Sequence, residues 1–316
     1  MADRLLIFHL RAARRRARVV AEAEALGLLR GLAPRALPGG PLAERGGLLW
    51  IALPEAALDE AIRRLPRLGY CDAVDLLAPI EGQARGRVSP TAGEVVRWRG
   101  RSHRLMRLYE EDPVELRDRA PDRRAFLLAT PAGAVRRVVG YRGDGGPLSR
   151  RGLPVVDARL LVNLVFAPAV GVFLDPFAGV GGVALEALAA GWQVVTVDVD
   201  PALRHGLSAL GARHVVADAG LLPILDGSVQ AIATEPPYDR AAEGAVLHGV
   251  REMARVLAGG GRLAMLVADW QRETLVAEAA RLDLTAELDC PIDRKGLPVV
   301  AMAWRKPPDQ APPLNG

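Results

Sequence analysis

Phe173-Leu-Asp-Pro-Phe-Ala-Gly-Val-Gly-Gly182 is the stretch on which the fold turns. It reads as a strand, a glycine loop and the start of a helix. Glycines at such a turn let a ligand approach the backbone, and the amino end of the following helix favours a carboxylate or phosphate. Gly179-x-Gly181-x-x-Ala184 also satisfies the dinucleotide fingerprint, so at this point a nicotinamide enzyme stands beside other nucleotide binders.

Reading onward, Val194-Val-Thr-Val-Asp198 is the next strand and ends in an acid, placed where a ribose hydroxyl would be held. Strands at 214–218, 229–235 and 262–268 alternate with helices at 180–190, 201–210, 241–258 and 270–282. Apolar strands alternating with helices predict a parallel sheet covered on both faces. Strands near 285–290 and 298–304 flank the turn-like 293–296 and predict an antiparallel edge hairpin. Ligands bind at the carboxyl ends of strands in open α/β sheets, so Asp175, Asp198, Asp218 and Glu235 are expected at one edge.

Thr234-Glu-Pro-Pro-Tyr238 separates the nucleotide readings. Two prolines stiffen the backbone and remove two N–H donors. Acceptors remain, namely the Glu235 carboxylate and main-chain carbonyls, together with the face of Tyr238. That combination suits an exocyclic amine on a flat heteroaromatic base, and hydride transfer has no evident use for it.

The front of the chain differs. A strand at 5–10, a helix at 12–29, a strand at 48–53, a helix at 55–68 and a strand at 70–77 predict a small α+β domain over 1–80. Residues 81–150 read as a basic connector or nucleic-acid-contacting region, 151–306 as the sheet domain, and 307–316 as a disordered tail. The net charge of +4 hides an asymmetry. Residues 1–150 hold 27 Arg and 18 acids, whereas 151–316 hold 14 basic residues and 19 acids. Most of the excess lies in 81–151, where Trp98, His103, Tyr109, Phe126 and Tyr141 are interleaved with arginine. Phosphate contact with base stacking uses this mixture. Only two lysines, Lys295 and Lys306, occur, so a compositional preference for arginine runs through the whole chain.

Several classes are excluded. No apolar run reaches the roughly 18 residues of a membrane span. The two cysteines, Cys71 and Cys290, lack CxxC partners, and the five histidines are scattered, so no metal site is expected. The arginines from Arg11 to Arg18 follow the short apolar stretch at 5–10, the reverse of a secretory signal, and a cytoplasmic protein is expected.

Asp175-Pro-Phe-Ala-Gly179, Asp198, Asp218 and Glu235-Pro-Pro-Tyr238 resemble the motif series of class I S-adenosylmethionine-dependent amino-methyltransferases. More narrowly they resemble the RNA guanine-N2 methyltransferases typified by the tRNA guanosine-10 enzymes, whose series is DPF(C/A)GTGG followed by DPPY. Asp157-Ala-Arg-Leu-Leu-Val-Asn-Leu164 resembles the helix before the first motif. The similarity covers about 155–270, and more weakly 1–80, which resembles that family's ferredoxin-like domain. The resemblance implies a Rossmann-like class I methyltransferase sheet, S-adenosyl-L-methionine as cofactor and RNA, most narrowly tRNA, as partner. It implies that Asp175, Gly179 and Gly181 line the methionine part, that Asp198 holds the ribose and Asp218 the adenine, and that Phe177, Ala178, Val199 and Ala219 complete the pocket, with Glu235 at its border. Glu235, Pro236, Pro237 and Tyr238 would hold the target amine. Rival readings are a DNA amino-methyltransferase and a catalytically inactive cofactor-binding RNA-binding module.

Three departures stand out. Glu235 replaces the family's Asp, adding a methylene of about 1.5 Å; on sequence grounds Glu235→Asp is expected to keep or raise activity. Val180 replaces Thr, and the family's RNA-gripping THUMP domain is not evident.

Overall fold

The computed structural model describes residues 3–80, 93–119, 125–139, 152–169, 171–294 and 297–309. The chain divides into two compact units, Met1–Pro113 and Val114–Gly316.

The first unit runs β1 (Asp3–Leu10), α1 (Arg18–Leu28), β2 (Arg35–Leu37), β3 (Leu48–Pro54), α2 (Leu58–Arg64), β4 (Cys71–Pro79), β5 (Val95–Trp98) and β6 (Arg101–Glu110). Its sheet has the order β2-β3-β1-β4-β6-β5, with every pairing antiparallel. Alternation along β1 sends Leu6 and Phe8 to one face and Ile7 to the other; all three are fully buried. Ile7 joins Leu48, Trp50, Leu77, Val96 and Leu105 in a core on its face. On α1 the buried Glu24 accepts hydrogen bonds from the backbone of Gly69 (2.7 Å) and Tyr70 (2.8 Å), which satisfies the chain where it enters β4.

Two expectations are corrected here. The first unit does not stop near residue 80, because β5 and β6 extend its sheet, and the helix expected over 12–29 begins only at Arg18. Residues 93–119 and 125–139 of the expected connector are built into strands and a helix, whereas 81–92, 120–124 and 140–151 lie outside the described residues.

The second unit begins with α3 (Pro113–Arg119) at the junction and the hairpin β7 (Ala125–Ala129) and β8 (Val135–Val139). It continues with α4 (Val155–Leu164), β9 (Val172–Asp175), α5 (Gly182–Ala189), β10 (Gln193–Asp198), α6 (Arg204–Ala209) and β11 (Arg213–Val216). Then follow β12 (Val229–Thr234), α7 (Glu243–Val256), β13 (Leu257–Ala268), α8 (Arg272–Arg281), β14 (Thr285–Arg294) and β15 (Leu297–Arg305). Seven strands form one sheet in the order β11-β10-β9-β12-β13-β15-β14. The first five are parallel, and β15 lies antiparallel between β13 and β14. The strand order reverses between β9 and β12, which opens a crevice at their carboxyl ends. Leu174, Ile232, Met265 and Val300, all fully buried, anchor the core that α7 and α8 cover.

The β7–β8 hairpin packs on this unit: Phe126 and Leu128 meet Ala178, Val180, Leu203 and Leu207. Gly206 permits the contact, since a Cβ there would stand 2.0 Å from Phe126 Cζ. At the other end of the chain, the carbonyls of Lys306 and Pro307 accept from the Gly260 N–H. Of the tail expected to be disordered, residues 307–309 therefore lie against β13, and 310–316 fall outside the described residues.

Candidate functional site

The crevice is built from strand ends. Asp175 closes β9 and is only 1% exposed. Thr234, the last residue of β12, donates its hydroxyl to Asp175 Oδ1 at 2.6 Å, and the same hydroxyl accepts from the Phe177 N–H at 3.3 Å. The sequence reading gave Thr234 no role, although its place beside Glu235 at a strand end was a signal. Burial pushes the Asp175 carboxyl up to about 7, helped by the nearby charges of Asp198 and Glu235, while the Thr234 and Phe177 hydrogen bonds oppose the rise. A carboxyl held this way is a ready partner for a cation.

This shift has a measurable sign. Between about pH 4 and 7 the native state keeps a proton that the unfolded chain has released, so stability falls as pH rises through that window. Unliganded wild type is expected to lose thermal stability between pH 5 and pH 8, and Asp175→Asn to lose less. Identical pH dependence for the two proteins would contradict the assignment.

Asp198 ends β10 and organises the glycine loop. Its Oδ2 accepts from the Gly179 N–H at 2.8 Å and its Oδ1 from the Asp200 N–H at 2.9 Å. A carboxylate offers about four lone-pair sites, so acceptor capacity remains for a ligand. Gly179 has φ +49°, and nothing stands within 4 Å of where its Cβ would be, so the loop is open there. Gly181 is different. Its missing Cβ would meet Leu210 Cδ1 at 2.5 Å and Leu207 Cδ2 at 3.0 Å, so this glycine lets the loop pack on Leu207 of α6 and on Leu210 just beyond that helix. Its expected place beside a ligand has no such opening on that side. Ala178 is buried under the loop, and Val199, directly after Asp198, is 72% exposed.

Asp218 is exposed and lies two residues beyond the end of β11, not on the strand as expected. It turns back to accept from the Gly220 N–H at 2.8 Å. Buried Ala219 and half-buried Phe177 both approach Gly249 of α7, where a Cβ would stand 3.5 Å and 3.0 Å from them.

Glu235 follows β12 and begins the proline loop. Pro236 is buried, Pro237 exposed and Tyr238 half-buried. Tyr238 donates its hydroxyl to Glu235 Oε1 at 2.5 Å. Burial, reinforced by the Glu235 charge, pushes the Tyr238 hydroxyl well above the usual tyrosine range, so it remains a donor. The Pro237 carbonyl accepts from Gln271 Nε2 at 3.0 Å, while Gln271 Oε1 accepts from the Ala268 N–H at 2.9 Å. Gln271 thereby ties the proline loop to the end of β13.

Arg294, at the end of β14, was missed altogether. Its NH1 donates to Glu235 Oε1 at 2.7 Å, and its Nε lies 3.1 Å from Asp157 Oδ2 on α4. The Asp157 side chain is fully buried and that of Arg294 is 16% exposed. Nothing in the turn-like 293–296 marks that arginine, because its partners come from α4 and the β12 loop.

The chain matches no established protein-family profile. Over 91 residues it is 35% identical to the tRNA (guanine(10)-N2)-dimethyltransferase of Methanothermobacter thermautotrophicus, a match covering 27% of each chain. The chain thus spans about a quarter of the length of that curated relative. The carboxy-terminal unit is an α/β unit with a mainly parallel sheet and an antiparallel edge hairpin, the architecture expected from the sequence. The placing of antiparallel β15 between β13 and β14 goes beyond the edge hairpin expected from the turn. Among solved structures, TrmN from Thermus thermophilus superposes with a TM-score of 0.45 at 18% identity, covering 96% of this chain and 99% of that one. The T. thermophilus 16S rRNA N2 G1207 methyltransferase RsmC, in complex with AdoMet and guanosine, gives a TM-score of 0.39 at 24% identity over 63% of this chain and 48% of that one.

Among the described residues, no helix is long and apolar enough to cross a membrane, and no group of three or more His, Cys, Asp or Glu is placed to hold a metal ion.

Proposed function

We propose that the protein transfers a methyl group from S-adenosyl-L-methionine to an exocyclic amine of an RNA base, with guanine N2 of tRNA as the target. The observation that carries this reading is the Glu235-Pro236-Pro237-Tyr238 loop at the end of β12, next to the glycine loop of β9, in a sheet of this order. The partial match to a tRNA guanine-N2 enzyme supports the substrate class.

The site suits the cofactor. Buried Asp175 fits the methionine ammonium, which would return it to the charged form. Asp198, with acceptor capacity left over, fits ribose hydroxyls, and Asp218 fits the adenine amino group. Val199 and Phe177 offer apolar surface for the adenine ring, and the open space at Gly179 admits the methionine chain. When bound, S-adenosylmethionine would supply an electrophilic methyl group for direct displacement by the amine nitrogen, the C–S electron pair staying on sulfur and the surplus N–H proton passing to solvent. Glu235 and the Pro236 carbonyl accept from the two amine N–H groups and set the nitrogen lone pair, and Tyr238 borders the base. Catalysis is then mainly positioning, which can remove several kcal/mol of barrier. The base must leave its stack to reach the crevice.

The amino-terminal unit, whose β-α-β-β-α-β core we read as ferredoxin-like, supplies the basic surface. On its outer hairpin Arg97 and Arg101 are exposed, and Arg99 lies 5.6 Å from the Trp98 ring centre. Neutralising Arg97 and Arg101 together is expected to weaken tRNA binding and to reduce the slope of affinity against salt by about one to two counterions. Unchanged affinity and slope in a salt titration would remove this surface from the account.

The test of the reading is to offer labelled S-adenosylmethionine with unmodified tRNA, rRNA or DNA and see which polymer takes the label. Label in tRNA is expected. Label confined to DNA would contradict the RNA assignment, and cofactor binding with no transfer would favour an inactive binding module.

A further inference from the structure

The contacts around Glu235 are lopsided. Tyr238 donates to Oε1 at 2.5 Å, and Arg294 NH1 donates to the same Oε1 at 2.7 Å. Both fixed donors therefore use one oxygen of the carboxylate. Arg294 is itself anchored, since its Nε faces Asp157 Oδ2 at 3.1 Å and Asp157 is fully buried. The guanidinium also reaches the Tyr238 hydroxyl at 3.3 Å, so Arg294, Glu235 and Tyr238 form a closed triangle. A planar fork with several donors in fixed directions is suited to such bridging, and a lysine ammonium is not.

We infer that Arg294, anchored by Asp157, is a positioning residue that fixes the longer Glu235 side chain through Oε1 and reserves Oε2 to accept from the target amine. The inference rests on the methyltransferase reading above and explains the glutamate. An extra methylene gives the carboxylate another rotatable bond, which would blur its aim. The arginine removes that freedom by holding one oxygen, and Tyr238 donates to the same oxygen. The arrangement also makes aspartate a poor substitute here, because a carboxylate withdrawn by about 1.5 Å would leave the arginine out of reach. Asp157 and Arg294 thus form one unit with Glu235, and their functions should be coupled.

The test compares wild type with Arg294→Met, Arg294→Lys and the pair Asp157→Asn/Arg294→Met, the last because a lone Arg294→Met leaves the buried Asp157 charge without this partner, a strongly destabilising loss. The probes are unmodified in-vitro-transcribed tRNA and S-adenosylmethionine. Steady-state kcat and KM are measured on the RNA, and cofactor affinity by calorimetry. Arg294→Met and the paired variant are expected to lower kcat about 100-fold, the cost of a misplacement near 1 Å, with cofactor affinity unchanged. Arg294→Lys is expected to recover part of the loss. Removing Arg294 from a Glu235→Gln background is expected to cost less than about 3-fold further, the mark of coupled residues. Wild-type kcat in the paired variant, or losses that multiply independently with Glu235→Gln, would overturn the inference while leaving the methyltransferase reading intact. Cofactor affinity falling in step with kcat would make Arg294 merely structural and overturn it equally. A wild-type protein that neither binds S-adenosylmethionine nor methylates RNA would remove the underlying reading first.

Discussion

Asp198→Ala is expected to weaken S-adenosylmethionine binding by about 100-fold or more, since hydrogen bonds to a charged acceptor contribute about 1.5–3 kcal/mol each. Two losses combine in this variant. The ribose hydroxyls would lose the acceptor proposed for them, and the Gly179 and Asp200 amides lose the carboxylate that holds the glycine loop in shape. The second loss separates Asp198 from an ordinary ligand contact, because the loop must then be ordered during binding. Asp198→Asn retains one acceptor oxygen and should fall between wild type and alanine. Calorimetric titration with S-adenosylmethionine checks the series. Affinity unchanged in the alanine variant would mean that the ribose lies elsewhere.

The second large effect is at Glu235. Glu235→Gln keeps the length of the side chain but abolishes its charge, and it places an amide where two donors now converge on Oε1. A kcat lower by about 100-fold is expected, with cofactor affinity retained, as for the loss of an interaction made mainly in the transition state. Glu235→Asp reverses the expectation drawn from sequence. The family pattern suggested that aspartate would serve as well or better, but here the carboxylate is bridged to Arg294, and shortening the side chain breaks the bridge. Activity is expected to fall by about 10-fold or more under the same positioning argument. Activity equal to wild type in the aspartate variant would show that the arginine does not govern the carboxylate.

What the sequence made legible follows from how each element is built. The strands β9 and β10 were placed to within a residue, because strands buried on both faces are continuous apolar runs bounded by an acid or a glycine. The hairpin of β14 and β15 was plain from its turn, although β14 runs on to Arg294, past its expected end near residue 290. By contrast β5 and β6 were read as part of a basic connector. In β6 only Leu105 is buried, and arginine occupies positions 101, 104 and 107, so the alternation that marks a half-buried strand is drowned by charge. The β7–β8 hairpin hid for a similar reason, with Arg136 and Arg137 exposed on one strand while Phe126 and Leu128 do the packing on the other.

The site divides in the same way. Asp175, Asp198, Glu235 and Tyr238 could be named because each sits at or just after a strand end, where topology alone brings it to the crevice. Asp218 was named but assigned to the strand, and the chain in fact leaves β11 at Val216 and turns back through the Gly220 amide. Gly181 was read as a ligand contact, although its missing side chain makes room for Leu207 and Leu210. Arg294 and Gln271 escaped because their roles exist only through contacts between elements distant in sequence. No periodicity or short motif records that an arginine on an edge hairpin reaches both α4 and the proline loop.

Methyl transfer to an exocyclic base amine in RNA is read out by mass spectrometry of the nucleosides released from a treated tRNA. The protein is incubated with unmodified tRNA and S-adenosylmethionine carrying a deuterated methyl group, and the RNA is digested to nucleosides. A labelled methyl is expected on the N2 amine of guanosine, absent from a Glu235→Gln control. A label on carbon, on a ribose oxygen or on a ring nitrogen would contradict it.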